Sequence, residues 1–592
     1  MKAAVALLYA FASTALGAVV LGFATGRISL GVAWLALTLG LLIGGYSLWP
    51  RRSDAPSTGA RPDVWGVLAL VVFALFALRS FLWLVFPAGK DWWVFSPNNL
   101  GDFSLHVTYV QYLANGAPFW PENPIFAGAP LTYPVGMDLF NSLLVLAGQD
   151  IMRSFVWVGL IGSFCTAAML WRWGRGFAVA GFLFAGGTFG FEIFRRGGEL
   201  IDYQSDAAWD GLVVAWKSLP LALFVTQRGL LFALPAGLAL LASWRARFLE
   251  PGRPDQRLPL WGEWLLYAAM PLFHLHTFLF LSIVAAIWFL GLRNARRHFL
   301  ILVGLAVVPA SALVWCVTGG FHGQGLIGWN PGWMQEKQNF FAFWLMNFGL
   351  FLPLCLSLLA ELAYRRGPRS MAALAVPGAV VFLLCCLVKF APWPWDNTKL
   401  MIWSYLIVLP ALWQVVIAPR AEWIRAFLCF LLFFSGAISL AGGLSGNLVV
   451  DSAEERRSRA EPLIGYSVAS RLEIDGTAAA VKDLPITDRF IARPNYNHPL
   501  LLAGRQLAMG YEGHLWSHGV AYSDRKDTVE SILKGEPGWR EKAAGLGARW
   551  LFWGEQEKAA YPDSKQPWRR QCEGYSTGDW GTIYDLKSVV VE

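Results

Sequence analysis

Long apolar runs, separated by short polar loops, constrain this chain more than any other feature. A helix that crosses a membrane needs about 20 mainly apolar residues. Runs of that kind fall at 4–24, 30–49, 64–87, 153–172, 176–194, 226–245, 299–317, 341–363, 371–389, 400–418 and 425–447. One further run, 264–292, is too long for one span and short for two; it contains Pro271 and the cluster His274-Leu275-His276-Thr277. Two short helices meeting in a tight turn fit it best. The expected fold is therefore a polytopic α-helical membrane protein with about 13 crossings. Composition agrees: 56% of the 592 residues are hydrophobic, 15% are charged, and mean hydropathy is +0.45. Soluble domains carry about 25% charge. The start, Met1-Lys2 and then Ala3 to Ala24, reads as an uncleaved first crossing rather than a signal peptide.

Charge supports the same count. Lys and Arg concentrate in Arg51-Arg52, Arg172 to Arg175, Arg245 to Arg257, Arg293 to His298, Arg365 to Arg369 and Arg420 to Arg425. With Lys2 inside and 264–292 as a hairpin, all six fall on one side, as the positive-inside rule requires. A single span there would put the later loops on the wrong side. The net charge of +8 is thus spent on orientation, and nucleic-acid binding is not expected. The opposite side receives loops 88–152, 194–225, 318–340 and 390–399, the hairpin turn, and the tail. It holds seven of the eight histidines: His106, His274, His276, His322, His498, His514 and His518. Six of the seven cysteines lie in or beside apolar runs, with no spacing for zinc or for a disulfide framework.

The chain divides into 1–449, membrane-embedded with outer loops, and 450–592, expected as a small extracytoplasmic α/β domain with a core of its own. Within the tail, Ile486 to Ala492, Leu500 to Leu502, Trp550 to Trp553 and Thr582 to Leu586 read as strands, and Asp524 to Lys534 and Gly538 to Gly545 as helices.

Four polar constellations on the outer side could carry chemistry. In the first long loop Asp102 precedes His106 by four residues, which puts both on one face of a helix. Trp92, Trp93, Tyr109 and Tyr133 lie nearby, and carboxylates beside aromatic rings suit sugars: acids move protons, rings stack on the pyranose. An interfacial loop of ordinary polar residues is the bland alternative. In the hairpin, two histidines inside an apolar run are costly without partners. His274 and His276 could position substrate, ligate a divalent metal together with Asp102, or simply hold the turn by hydrogen bonds. Trp395-Asp396-Asn397-Thr398-Lys399 opens a span; Asp396 can pair with Lys399, and that lysine suits a lipid phosphate, unless it only snorkels. Thr226-Gln227-Arg228-Gly229 places an arginine on the outer side against the orientation bias, as a phosphate contact would. In the tail, Gly504-Arg505 and Gly510-Tyr511 sit in turn-rich sequence that could face the membrane pocket or be structural. No P-loop, dinucleotide-binding glycine pattern or serine nucleophile elbow is present.

The order of spans, the acid in the first long outer loop, the Phe273-His274-Leu275-His276-Thr277-Phe278 hairpin, Trp395-Asp396-Asn397-Thr398-Lys399 and the C-terminal tail together resemble the GT-C superfamily. These are integral membrane glycosyltransferases, such as protein O-mannosyltransferases and aminoarabinose transferases. The pieces look like those of bacterial members. The resemblance covers nearly the whole chain and implies an acid at the reaction centre, here Asp102. It also implies a polyprenyl-phosphate-linked sugar donor, a protein, lipid or glycan acceptor, contact with membrane lipids, and a place in the inner (cell) membrane. Many members carry an acid pair at that point; Gly101 and Phe103 flank Asp102, so the adjacent acid is missing, which leaves metal dependence and acceptor class open. The resulting expectation is an inverting transferase. Asp102 is its base, with His106 beside it, and Lys399, Arg228 and Arg505 hold the donor phosphate. His274, His276, Tyr133, Asp396, Asn397, Gln227 and Tyr511 bind substrate. No cofactor is assigned, and a divalent metal is one reading. The rival readings are a lipid or glycan transporter or flippase, and a non-catalytic envelope-assembly protein.

Overall fold

The computed structural model describes all residues except 50–62, 97–98, 206–207, 210, 254–255, 322–326, 365–367, 447–464 and 589–592. The basic residues Arg51, Arg52, Arg365 and Arg366, as well as His322 and the expected boundary at 450, lie outside the described residues. Among those described, nine helices are long and apolar enough to cross a membrane, or ten if the bent pair Phe340–Phe348 and Phe351–Tyr364 counts as one span. The protein is a multi-pass membrane protein.

Nearly every expected apolar run is helical, with two departures from 13 simple crossings. The runs 153–172 and 176–194 give two helical stretches within Ile151–Phe184, separated by a kink at Gly174 and Arg175, where the basic loop is expected. The second ends at Phe184, so 176–194 is not one span; a loop and short turns fill the rest. The hairpin run forms Leu260–Phe273 and Leu275–Gly291, at 14 and 17 residues, with His274 extended between them (φ −160°). The expected turn is therefore a single residue.

The loops assigned to the outer side meet on one face. Val213 N donates to Gln338 Oε1 (2.8 Å), and Trp395 Nε1 to the Ala215 carbonyl (2.8 Å). Trp333 Nε1 donates to the Pro394 carbonyl (3.0 Å), and Gly328–Trp329 pairs with Val388–Lys389. The basic loops meet one another too. Arg245 bonds the Trp173 carbonyl and Glu250, and Arg247 and His298 both reach the buried Glu263.

The first outer loop begins with strands β1 (Val85–Ala88) and β2 (Asp91–Val94), and Tyr466–Ser470 adds to β2. Helices α1 (Lys2–Thr25), α2 (Leu30–Leu48) and α3 (Val64–Leu82) precede β1 and β2, and α4 (Leu100–Ala114) and α5 (Gly136–Leu146) follow them. The C-terminal segment holds a five-stranded mixed sheet, in the order Glu573–Gly578, Gly581–Asp585, Ala548–Trp553, Arg489–Ile491, Gln506–Leu507. Helices Ser523–Leu533 and Trp539–Gly545 match the expected pair. Leu500 to Leu502 do not form a strand: His498 caps a short helix, Pro499–Leu502, whose first residue is the proline that favours that position. Nor does the tail keep its core to itself. Leu105, Tyr109, Ile125, Phe126, Leu131 and Val135 of the first outer loop are buried in the same cluster as the sheet residues Leu507, Leu551 and Ile583. Arg489 pairs with Glu122 (3.1 Å), Arg525 covers the Phe126 ring (3.7 Å), and Ala127 and Gly510 exchange backbone bonds with Leu507 and Ile125. The C-terminal segment is a clamp on the loop that carries Asp102.

Candidate functional site

Helix α4 presents two faces. Phe103, Val107 and Gln111, four apart, line a cavity of about 570 Å3 shared with Arg27, Lys482 and Arg505. Asp102, His106 and Tyr109 face elsewhere. There the first outer loop, the Thr226 turn, the start of the Thr398–Ala411 helix and the C-terminal segment come together.

Asp102 sits at the centre of this meeting. It is only partly accessible, and burial raises its pKa above the usual carboxylate value. The charges of His106 and Lys399 oppose that rise, that of Asp396 adds to it, and the Thr226 hydroxyl is within hydrogen-bonding reach. Groups from residues 106, 226, 396 and 399 thus act on one carboxylate. A carboxyl whose basicity is increased by burial, yet which still opens to solvent, is suited to taking a proton.

His106 is held from behind. Its Nδ1 lies 2.8 Å from Asp138 Oδ1, and both side chains are buried. Asp138 stands in the first turn of α5, and the buried Arg228 is within its electrostatic reach. Sequence reasoning missed Asp138. Its one signal was an acid in an otherwise apolar helix, Gly136-Met137-Asp138-Leu139-Phe140, where a charge is costly without a partner. Asp138, 36 positions from Asp102, reaches the site through His106, and Asp396 is the carboxylate whose charge acts on Asp102 directly.

Lys399 pairs with Asp396 at 3.1 Å, three residues apart on one turn as expected, and its side chain stays partly exposed. Rings line the rest. Tyr133 lies 6.1 Å from His106, 5.3 Å from Tyr109 and 5.1 Å from His518, centroid to centroid. Burial, with the charge of Asp138 next, pushes the Tyr109 and Tyr133 hydroxyls well above their ordinary value, so both remain neutral donors. From the C-terminal segment His514 meets Gly101, where a Cβ would come 3.3 Å from Nε2. Burial pushes His514 down to about 4 and His518 to about 3, so both are neutral near pH 7. Neither had been singled out as a site residue. Trp516 meets Trp393 at 5.7 Å and so closes the tail onto the 390–399 loop.

Four expected assignments change. Arg505 lies on the far face of α4, at the 570 Å3 cavity. It donates to the Leu484 (2.8 Å) and Val481 carbonyls. It ties the C-terminal segment together and does not reach Asp102. Arg228 is buried, stacked 4.3 Å from the Phe155 ring, and donates to the Phe155 carbonyl (3.2 Å). It offsets Asp138 and offers no open face to a phosphate. Asn397 is fully spent: it accepts from Phe390 N and donates to the Cys385 and Val388 carbonyls, so it holds the loop instead of a substrate. Tyr511 stands behind His514 (5.2 Å between rings), one ring removed from the centre. Gln227 is partly exposed in the same turn as Thr226.

The histidine turn adjoins the site. Two glycines permit the approach: a Cβ on Gly229 would come 2.1 Å from the Phe273 carbonyl oxygen, and one on Gly136 would meet the Phe273 ring at 2.8 Å. The rings of His274 and His276 are 5.6 Å apart. Both feel the charge of Lys399. As a metal site the pair is incomplete. No group of three His, Cys, Asp or Glu among the described residues could hold an ion, and Asp102 is not beside the pair.

No family model matches the chain, and no curated protein matches it in sequence. Among solved structures, its fold is similar to that of the Archaeoglobus fulgidus oligosaccharyltransferase. In the apo form the identity is 12%, 83% of this chain and 69% of that one are covered, and the TM-score is 0.40. In the form tethered to an acceptor peptide containing the NVT sequon the values are 14%, 86%, 72% and 0.40. With zinc and sulfate they are 14%, 88%, 73% and 0.38. At these scores the likeness is one of overall chain course, and the chemistry has to be argued from the residues of this chain.

Proposed function

We propose that this protein is an inverting glycosyltransferase of the membrane. It would move a sugar from a polyprenyl-phosphate-linked donor to an acceptor hydroxyl on the non-cytoplasmic side. One observation carries the reading: Asp102 and Lys399, 297 positions apart, act on the same small volume, with a neutral aromatic wall around them. The positive-inside rule puts that volume outside, because the basic loops gather on another face.

In this mechanism Asp102, made more basic by burial, takes the proton of the acceptor hydroxyl. The acceptor oxygen attacks the anomeric carbon as its bond to the phosphate oxygen breaks. The phosphate leaves with the bonding electrons, and Lys399 offsets the developing charge. Asp138 orients His106, whose positive form favours the ionised state of Asp102. Tyr133 and the neutral His514 and His518 supply ring faces and hydrogen bonds to the sugar. No step needs a metal, and the Nε2 atoms of His274 and His276, without partners among the described residues, are placed to meet substrate.

Asp102→Asn is isosteric and cannot accept the proton. It should reduce release of polyprenyl phosphate from a labelled donor by about 10²–10⁴-fold. Thermal unfolding in detergent should be unchanged. Full activity in that variant would end the reading.

A further inference from the structure

His274 is the residue between the Leu260–Phe273 and Leu275–Gly291 helices, and it caps the second. Its Nδ1 accepts from the Thr277 backbone N–H at 3.2 Å. A backbone N–H can only donate, so Nδ1 carries no proton in the neutral ring. The Thr277 hydroxyl adds to this. Its oxygen lies 2.7 Å from Nδ1 and accepts from Trp403 Nε1 at 2.9 Å. The Trp403 N–H points into that oxygen, so the hydroxyl turns its own proton toward Nδ1. Trp403, Thr277 and His274 therefore form a relay with one direction. Its end is fixed: in the neutral ring the proton sits on Nε2.

That Nε2 is buried and has no hydrogen-bond partner among the described residues. His274 itself is 5% exposed. A buried donor left unpaired is costly. Capping alone does not demand it, because Ser, Asn or Asp caps a helix better and leaves no stranded N–H. The cost is recovered if an acceptor arrives with the substrate. The N–H lies in the neighbourhood of Lys399, whose charge His274 and His276 both feel. A protonated Nε2 cannot ligate a metal, but it can donate to an oxygen.

We infer that His274 Nε2–H is a preset hydrogen-bond donor for a phosphoryl oxygen held beside Lys399, with Thr277 and Trp403 as the residues that fix its tautomer. This rests on the proposed function and deepens it by assigning the phosphate recognition that Arg228 and Arg505 do not supply. It also makes the site a reader of acceptor oxygens, not of cations.

The test uses the full-length protein in nanodiscs and equilibrium binding of farnesyl phosphate. His274→Asn keeps an acceptor near Nδ1 to cap the helix but loses the distal donor; His274→Gln can place an amide N–H near the Nε2 position. The first should bind at least tenfold more weakly, and the second within a few-fold of the wild type. Inorganic phosphate as competitor separates the sources: displacement only at far higher concentration assigns the oxygen to a lipid phosphate, and equal potency assigns it to free phosphate. Should the variants fail to fold, ¹⁵N-histidine spectra of the wild type decide. One ring must show a proton on Nε2 with bare Nδ1, and that signal must shift on adding farnesyl phosphate. Undiminished binding in His274→Asn, no binding by the wild type, or no ring that shows this tautomer and shift would overturn the proposal. Equilibrium binding of farnesyl phosphate involves no proton transfer, so a failure of the base assignment, read from sugar transfer by Asp102→Asn, is distinguishable from a failure of this one.

Discussion

Replacing Asp138 with Asn separates orientation from charge balance at the site. The Asp138–His106 pair is 2.8 Å long with both side chains buried, and Arg228 is the buried cation nearby. A hydrogen bond to a charged group contributes about 1.5–3 kcal/mol. If His106 loses that orientation in the transition state, the rate falls by roughly 10–150-fold. Stability falls for another reason: the buried Arg228 loses the nearby negative charge that supports its own. Asp138→Asn should therefore lower both the melting temperature and kcat. Adding Arg228→Met removes the stranded charge, so the double variant should regain most of the stability and none of the rate. The assays are thermal unfolding in detergent and sugar transfer at saturating donor. A double variant that recovers both would show that Asp138 serves the fold alone, and a single variant with wild-type kcat would refute the orientation of His106.

Three further outcomes follow from the geometry. The acidic limb of kcat/KM reports the base, and burial sets that of Asp102 above the ordinary carboxylate value of about 3.9. Lys399→Met removes a charge that favours the carboxylate and should move the limb to higher pH; Asp396→Asn removes one that opposes it and should move the limb lower. Shifts in the same direction would contradict the arrangement. Asn397→Ala removes three hydrogen bonds worth about 1 kcal/mol each and orphans two carbonyls, so it should lower the melting temperature with or without substrate. Arg505→Ala should loosen the C-terminal segment, seen as faster tryptic cleavage after Lys482, while the KM for donor stays unchanged.

The apolar runs were legible because a span imposes length and composition on every residue in it, and helices such as Lys2–Thr25 and Glu422–Ser445 match within a few positions. The break after Phe184 was not. Residues up to 194 remain apolar, and what stops the helix is tertiary: Gly187 and Gly190 lie against the backbones of Met346 and Ser435, where a Cβ would come within 2.5 Å. Asp102 and His106 could be paired because helical spacing is local. Asp138 could not, because its partner is 32 positions away and composition alone does not say which buried acid is satisfied. The arginines misled for the same reason. An arginine in an outer loop signals unmet charge, and only coordinates reveal that carbonyls of Phe155 or Leu484 already take it up.

Charge order explains why these elements must be assembled together. The acids Asp138, Asp102 and Asp396 alternate with the cations Arg228, His106 and Lys399, and each acid has a cation from its own or another element. In a low-dielectric setting, carboxylates without such interleaving would repel one another and become neutral. Among the described residues Asp102 forms no ion pair, whereas Asp138 is hydrogen-bonded to His106 at 2.8 Å and Asp396 is paired with Lys399 at 3.1 Å. It thus keeps an unspent basicity while the flanking pairs hold the net charge near balance. The α4 helix that carries it shares its core with the C-terminal sheet, and His514 from that segment rests against Gly101, the residue before it. Position and basicity of Asp102 are therefore set together, by contacts from opposite ends of the chain.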